Sequence, residues 1–229
     1  AHRAAGGTNT FVCTKLKGLP AGDYAAVKAR VEAHVAALQC GGRVDLLLCH
    51  WPGPAECDFG GAPDAFAALA RWDWFVAHAA PAWGNMCRLV ADGLAARVGV
   101  SNFYRQHLEP LLAVLPAGAP RPYANQIFVD PTHPEFAFCD WMAAQNIRVL
   151  AYRPLSFVPV IEMAGQMGDP RGAALQAQAT AAGCPSVRAF VLRWLVSRGI
   201  CPLVKSSSAE HLAANLAACG GGDGGDGGD

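Results

Sequence analysis

Charge is scarce in this chain. Only 16% of its 229 residues are Asp, Glu, Lys or Arg, the two signs balance at 18 each, and the basic residues are scattered. A basic stripe of the kind that nucleic acid or an anionic membrane surface recognises is therefore missing, and neither is expected as a partner. No apolar run approaches the ~18 residues of a membrane-spanning helix. The longest, such as Val44–Cys49 around Asp45, are of strand length. Nothing in the first residues reads as a secretory or transit arm. The nine cysteines include no C-x-x-C pair, and their odd number and irregular spacing argue against a disulfide framework. Reduced, buried thiols in a cytoplasmic protein are expected instead. No set of His, Asp and Glu has metal-site spacing, so no metal is expected. No G-x-G-x-x-G follows a strand-like run, which removes the fingerprint of a dinucleotide-binding open sheet.

What the chain has in quantity is apolar sequence, 52% by count, cut into short and long pieces in alternation. Strands are expected at residues 10–16 (TFVCTKL), Val44–Cys49, 97–101 (RVGVS), 123–129 (YANQIFV), 147–152 (IRVLAY) and 201–205 (CPLVK). Helical spacing marks Tyr24–Leu38, with Asp23 as its N-cap and Gly41-Gly42 as its stop, then residues 82–96, 107–115, 135–145, 173–182, 186–198 and 209–218. Residues 51–81 and 153–169 read as long loops, the first rich in Pro, Gly and aromatics. Trp72, Trp74 and Phe75 within it are candidate pocket walls. Six strand–helix units in alternation predict a parallel α/β sheet, either a doubly wound sheet or a TIM barrel. Lys15, His50, Ser101, Asn102, Gln126, Tyr152 and Lys205 all fall at the C-terminal ends of expected strands. In a barrel that is one rim, the rim where active sites are built. Residues 1–219 are expected to form a single barrel domain, with 220–229 (GGGDGGDGGD) as a low-complexity tail.

Five strings, VDLLLCHWPGP (44–54), RVGVSNF (97–103), ANQI (124–127), VLAYRPL (149–155) and VLRWLVSRGICPLVKS (191–206), resemble in order and spacing the signatures of the aldo-keto reductase family. The likeness covers residues 10–218. It implies a TIM barrel that reduces aldehydes and ketones with NADPH. Lys15, in TKL, resembles the family lysine that lowers the pKa of a tyrosine acid. His50, in CHWP, resembles the histidine that orients the substrate carbonyl. Trp51 resembles a substrate-pocket wall. Ser101, Asn102 and Gln126 match positions that hydrogen-bond the nicotinamide carboxamide, and Tyr152 matches the aromatic that stacks on the ring. Arg153 and Leu155 fall in the loop under the cofactor phosphates. Lys205 and Ser206 match the site for the adenosine 2′-phosphate, followed by His211 and Asn215 at adenosine-contacting positions. The resemblance thus implies NADPH/NADP+ as cofactor and a small carbonyl compound as substrate, and a monomer is expected for the full-length protein.

The departures from the family pattern are specific. The family's aspartate and tyrosine precede its lysine, yet the fourteen residues before Lys15 contain neither Asp nor Tyr. About two βα units, at about 30 residues each, are therefore expected to be missing, leaving six of eight. The start at Ala1 fits processing or a chain that begins in mid-gene. His211 stands where an arginine is usual, Ala214 where an acidic residue is usual, Asp130 where a histidine is frequent, and Arg153 where a serine is frequent. Three readings remain open. One is an NADPH-dependent carbonyl reductase present as a catalytically incomplete fragment. Another is a non-catalytic, truncated relative that binds nucleotide or a partner chain. The third is a different barrel enzyme, in which Lys15 or Lys205 forms an imine.

Overall fold

Strand-forming and helix-forming segments alternate along the chain as its apolar periodicity demands. The computed structural model describes residues 10–54 and 72–220. The chain divides into two units, residues 1–125 and 126–229.

In the first unit, β1 (Cys13–Leu16), β2 (Val44–Cys49) and β3 (Ala95–Ser101) run parallel in that order, with Lys15 opposite Leu48 and Leu48 opposite Gly99. Leu46, Leu47, Leu48 and Cys49 are all fully buried, so β2 is covered on both faces. A parallel strand flanked by helices requires this, and each such leucine contributes about 2 kcal/mol. Helix α1 (Tyr24–Leu38) begins where the Asp23 carboxylate accepts the Ala26 N–H at 3.1 Å, and it buries Val27, Val31 and Val35. It ends at Leu38, as expected, with Gln39 in the left-handed conformation at φ 49° ahead of Gly41-Gly42.

The helix expected at 82–96 begins ten residues earlier, as α2 (Trp72–Ala91), with Pro81 inside it. A proline ordinarily breaks a helix by removing one hydrogen bond and crowding the preceding turn. Here an apolar face continues across it: Phe75, Ala79, Ala82, Met86 and Leu89 are all buried, and tertiary burial outweighs the local signal. Trp72, Trp74 and Phe75 therefore sit on a helix and not in a loop. Phe75 is a core residue, and Trp74 stacks on His78 at 4.3 Å. Residues 55–71 of the expected loop lie outside the described residues. Helix α3 (Arg105–Ala113) follows β3. At Gly99 any Cβ would lie 2.5 Å from the Ala124 carbonyl oxygen and 2.7 Å from Leu48 Cδ2, so the backbone of β3 occupies the space a side chain would need.

The second unit carries β4 (Ala124–Phe128, from Gln126 onward), β5 (Arg148–Tyr152) and β6 (Ile200–Leu203), in that order. β5 and β6 are parallel, with Tyr152 opposite Leu203. Its helices are α4 (Phe136–Ala144), α5 (Val158–Gln166), α6 (Pro170–Ala181), α7 (Val187–Ser197) and α8 (Ala209–Gly220). The expected loop at 153–169 thus contains α5, which carries Pro159 in its first turn and buries Val158 and Ile161. β6 ends at Leu203, leaving Lys205 two residues beyond the strand. Gln126 lies in the middle of β4 and not at its end. Ser186 caps α7 by accepting the Ala189 N–H at 3.1 Å, and Asp169 caps α6. Gly220 closes α8, and the rest of the Gly/Asp tail lies outside the described residues.

Helices α5 and α6 meet at Gly165 and Gly172. A Cβ on Gly172 would lie 2.5 Å from Gly165 Cα and 2.6 Å from the Ile161 carbonyl oxygen, both backbone atoms. Gly172→Ala must push the helices apart and is expected to cost about 1–3 kcal/mol. A lower urea midpoint at unchanged m-value is the expected result, and an unchanged or higher midpoint would contradict this packing.

Candidate active site

In the first unit the chemistry-bearing residues gather at the C-terminal ends of β1, β2 and β3. Lys15 is the penultimate residue of β1, and the His50 N–H donates to the Leu16 carbonyl at 2.9 Å, which extends the ladder to the histidine. Both side chains are half-buried. Burial lowers the pKa of Lys15, with the Cys13 thiol acting the other way. Burial, and then the Lys15 charge, lower that of His50. At neutral pH His50 is therefore an uncharged imidazole that holds one N–H to donate. The Cys13 thiol is pushed up to about 11 by burial, against the pull of Lys15, and stays protonated. Trp51 lies beside His50, ring centroids 5.4 Å apart.

Ser101 ends β3 and is buried, and Asn102 follows it in the left-handed conformation at φ 59°. Asparagine tolerates that region better than most residues. Its Nδ2 donates to the His50 carbonyl at 3.0 Å and reaches Ser101 Oγ at 3.2 Å, so the ends of β2 and β3 are tied through one side chain. Lys15, His50, Trp51, Ser101 and Asn102 are thus linked by strand register and hydrogen bonds.

In the second unit, Tyr152 ends β5, half-buried, with its ring 5.8 Å from that of Phe128. Gln126 is buried. A cavity of about 1270 Å³ in the same unit is lined by Arg153, Leu155, Lys205, Ser206, His211 and Asn215, among others. Every residue expected at the phosphate and adenosine end of the cofactor lies on it. Arg188 and Arg193, from α7, also line it, and among the described residues no Asp or Glu does. Sequence reading missed these two arginines, because their five-residue spacing on a helix carries no motif. Arg188 pairs with Glu162 at 3.0 Å, and Arg193 donates to the Ala182 carbonyl at 3.3 Å. At the cavity's far side Ser206 Oγ accepts the Ser208 N–H at 3.1 Å, and Ser208 Oγ accepts the His211 N–H at 3.3 Å. This pair of serine turns starts α8, so its N-terminus lies next to Lys205 and Ser206. Backbone N–H groups at a helix start favour anions. Asp130, singled out in the sequence only as a departure, is almost fully buried and holds Ser156 of the cavity wall at 2.8 Å.

Among the described residues no group of three or more His, Cys, Asp or Glu could hold a metal ion, and no helix is long and apolar enough to cross a membrane. The eight cysteines described are all free thiols.

Among the described residues, six parallel strands with eight helices, and polar residues at the strand ends, define an α/β protein of TIM-barrel type. The silkworm Bombyx mori aldo-keto reductase solved in complex with NADP is similar in structure. It has a TM-score of 0.71 and 27% identity, over 94% of this chain and 65% of that one. The model of the aldo/keto reductase family matches residues 4–220, and the chain belongs to that family of oxidoreductases. It is 30% identical to an aldose reductase of Encephalitozoon cuniculi, over 76% of this chain and 54% of that protein. It is 31% identical to a D-galacturonate reductase of Hypocrea jecorina, over 76% and 53%. The chain thus spans about half the length of the curated relatives it matches.

Proposed function

We propose that the chain forms the NADP(H)-holding and carbonyl-orienting part of an oxidoreductase that reduces aldehydes or ketones to alcohols, built as one barrel domain and working in the cytoplasm. The observation that carries this reading is the cavity in the second unit. It gathers Lys205, Arg153, Arg188 and Arg193 with no lining carboxylate among the described residues, an arrangement suited to a ligand with several phosphates. The donor set fits the cofactor. Lys205 and Ser206, beside the α8 N-terminus, would hold the 2′-phosphate, with His211 as a weaker, pH-dependent contact in place of an arginine. Asn215 would meet adenine, and Arg153 with Leu155 the pyrophosphate segment. Gln126 would hydrogen-bond the carboxamide and Tyr152 would stack on the nicotinamide. In the first unit, Ser101 and Asn102 would supply further carboxamide contacts. The uncharged His50 would donate its N–H to the substrate carbonyl, and Trp51 would wall the substrate. When bound, NADPH supplies hydride to the carbonyl carbon. The reading needs no metal, and no nucleic-acid or membrane partner.

A second reading, a non-catalytic relative that binds nucleotide or a partner chain, rests on the same cavity, whose basic lining would serve binding without turnover. Titration of the chain with NADPH, followed by cofactor fluorescence, tests the shared premise. Saturable binding is expected. Lys205→Ala should weaken NADPH about tenfold while leaving NADH within about twofold, since one charge-assisted hydrogen bond is worth about 1.5–3 kcal/mol. No binding by the unaltered chain at millimolar NADPH would overturn the proposal. Equal loss for both cofactors would remove Lys205 from the 2′-phosphate.

A further inference from the structure

Directly after β5 the chain makes a tight turn that local sequence does not favour. Arg153 has φ +54° and is followed by Pro154. A residue with a Cβ in the left-handed region is unfavourable, and a following proline narrows the allowed conformations further. Such a turn persists only when its surroundings hold it. The backbone around it contributes the Ser156 N–H to the Arg153 carbonyl at 3.0 Å and the Val158 N–H to the Leu155 carbonyl at 3.2 Å. A further restraint comes from a distant segment. Ser156 Oγ donates to Asp130 Oδ2 at 2.8 Å.

Asp130 is built as an anchor. It is 1% exposed. Its Oδ1 accepts the Thr132 N–H at 2.8 Å, the Thr132 hydroxyl at 2.7 Å and the His133 N–H at 3.0 Å. The backbone bonds Asp130 N–H to His133 O at 3.3 Å and His133 N–H to Asp130 O at 3.0 Å lock the same segment. Burial works to raise the pKa of the carboxyl, but the Thr132, Ser156 and backbone donors outweigh it and hold the group below its ordinary value. Oδ1 is thus committed to its own turn, while Oδ2 reaches across to the 153–156 turn. All four residues of that turn line the basic cavity.

We infer that Asp130 is a positioning residue. Through the Ser156 hydroxyl its buried carboxylate holds the 153–156 turn in the one shape that presents Arg153 to a phosphate-bearing ligand in the cavity. A negative charge in the wall of an anion site would ordinarily weaken it, but this one is buried, saturated with donors and screened from the cavity by Ser156. The inference rests on the nucleotide reading above for the identity of the ligand, but the restraint on the turn is a property of the free protein.

The test uses the whole chain, alone and with NADPH. Ser156 is exposed, so its variants should fold. Without cofactor, amide hydrogen exchange across residues 153–157 should quicken about tenfold in Ser156→Ala and stay near the unaltered rate in Ser156→Thr, which keeps the hydroxyl. With NADPH, Ser156→Ala should bind about tenfold more weakly and Ser156→Thr within about twofold. In an Asp130→Ala background, Ser156→Ala should add nothing to either readout, because the two act as one unit. If Asp130→Ala does not fold, the alanine and threonine variants at 156 still decide the matter. Unchanged exchange in Ser156→Ala overturns the inference, even if NADPH binding falls, since the hydroxyl would then touch the ligand directly. Equal loss in the alanine and threonine variants overturns it too. Faster exchange in Ser156→Ala, with no NADPH binding by the unaltered chain, supports the restraint and sinks the nucleotide reading alone.

Discussion

Supplied with NADPH and a simple aldehyde, the 229-residue chain is expected to consume cofactor ~10²–10⁴-fold more slowly than a family member that carries the tyrosine acid, the range that a lost general acid commonly costs. Hydride transfer leaves negative charge on the carbonyl oxygen, and some group must protonate it. Three candidates among the described residues, His50, Tyr24 and Cys13, are unsuited. His50 is uncharged at neutral pH because burial and Lys15 lower its pKa, so its remaining N–H can orient a carbonyl but is a poor proton donor. Tyr24 stands at the first residue of α1, its hydroxyl donating to Asp92 at 2.8 Å, and its pKa is raised by burial and by that hydrogen bond, which makes it a weaker acid. Cys13 is likewise raised. A stopped assay at neutral pH, run alongside the NADPH titration, should show binding without turnover. Robust aldehyde-dependent NADPH consumption would mean that one of these groups, or Lys15, does supply the proton.

Acid should weaken the fold well before ordinary carboxylates titrate, and His107 is the main cause. Its ring is 4% exposed, packed near Phe75 and Phe103 with centroids 5.2 and 5.8 Å away. Its Nδ1 accepts the Tyr104 N–H at 3.1 Å, the first-turn bond of α3. Protonation would put a charge in an apolar pocket and turn that acceptor into a donor facing a donor. Burial accordingly lowers the pKa to about 4, from an ordinary 6.5. Between these values the unfolded chain binds the proton and the folded chain does not, so stability rises with pH. The contribution is complete above pH 6.5, is lost progressively as pH falls toward 4, and amounts to about 3 kcal/mol. His50, shifted in the same direction, adds to the slope. Urea melts between pH 7.5 and 4.5 should show the loss, and His107→Gln, which keeps an acceptor for the Tyr104 N–H but cannot titrate, should flatten it. Parallel curves for the two proteins would place the acid sensitivity elsewhere.

Where local chemistry and burial agree, the sequence could be read closely. Asp23 ahead of a Val27–Val31–Val35 stripe announces α1 to the residue at both ends, and the continuous apolar run of β2 is a strand because both its faces are covered. Errors arise where tertiary packing overrides a local signal. Pro81 reads as a break, yet α2 runs through it. Pro154 and Pro159 make the start of α5 read as a loop, yet a proline in the first turn is compatible with a helix. The cavity residues Arg153, Leu155, Lys205, Ser206, His211 and Asn215 were found through strings resembling a family, since nothing in their spacing alone brings them together. Arg188, Arg193 and the Asp130–Ser156 bond depend on contacts between segments far apart in sequence, and no periodicity encodes those.

Glycine is common in this chain, 25 residues in all, yet two of them live under opposite rules. Gly84 sits on the exposed side of α2 with nothing within 4 Å of where a Cβ would be. Gly99 faces the Ala124 carbonyl at a distance no carbon can share. Over descent the first position is free to drift toward alanine, which the helix would welcome, while the second is frozen. A lineage of this protein should therefore carry a fixed mark in the third strand, kept for want of room and irrespective of whether its members still turn over a substrate.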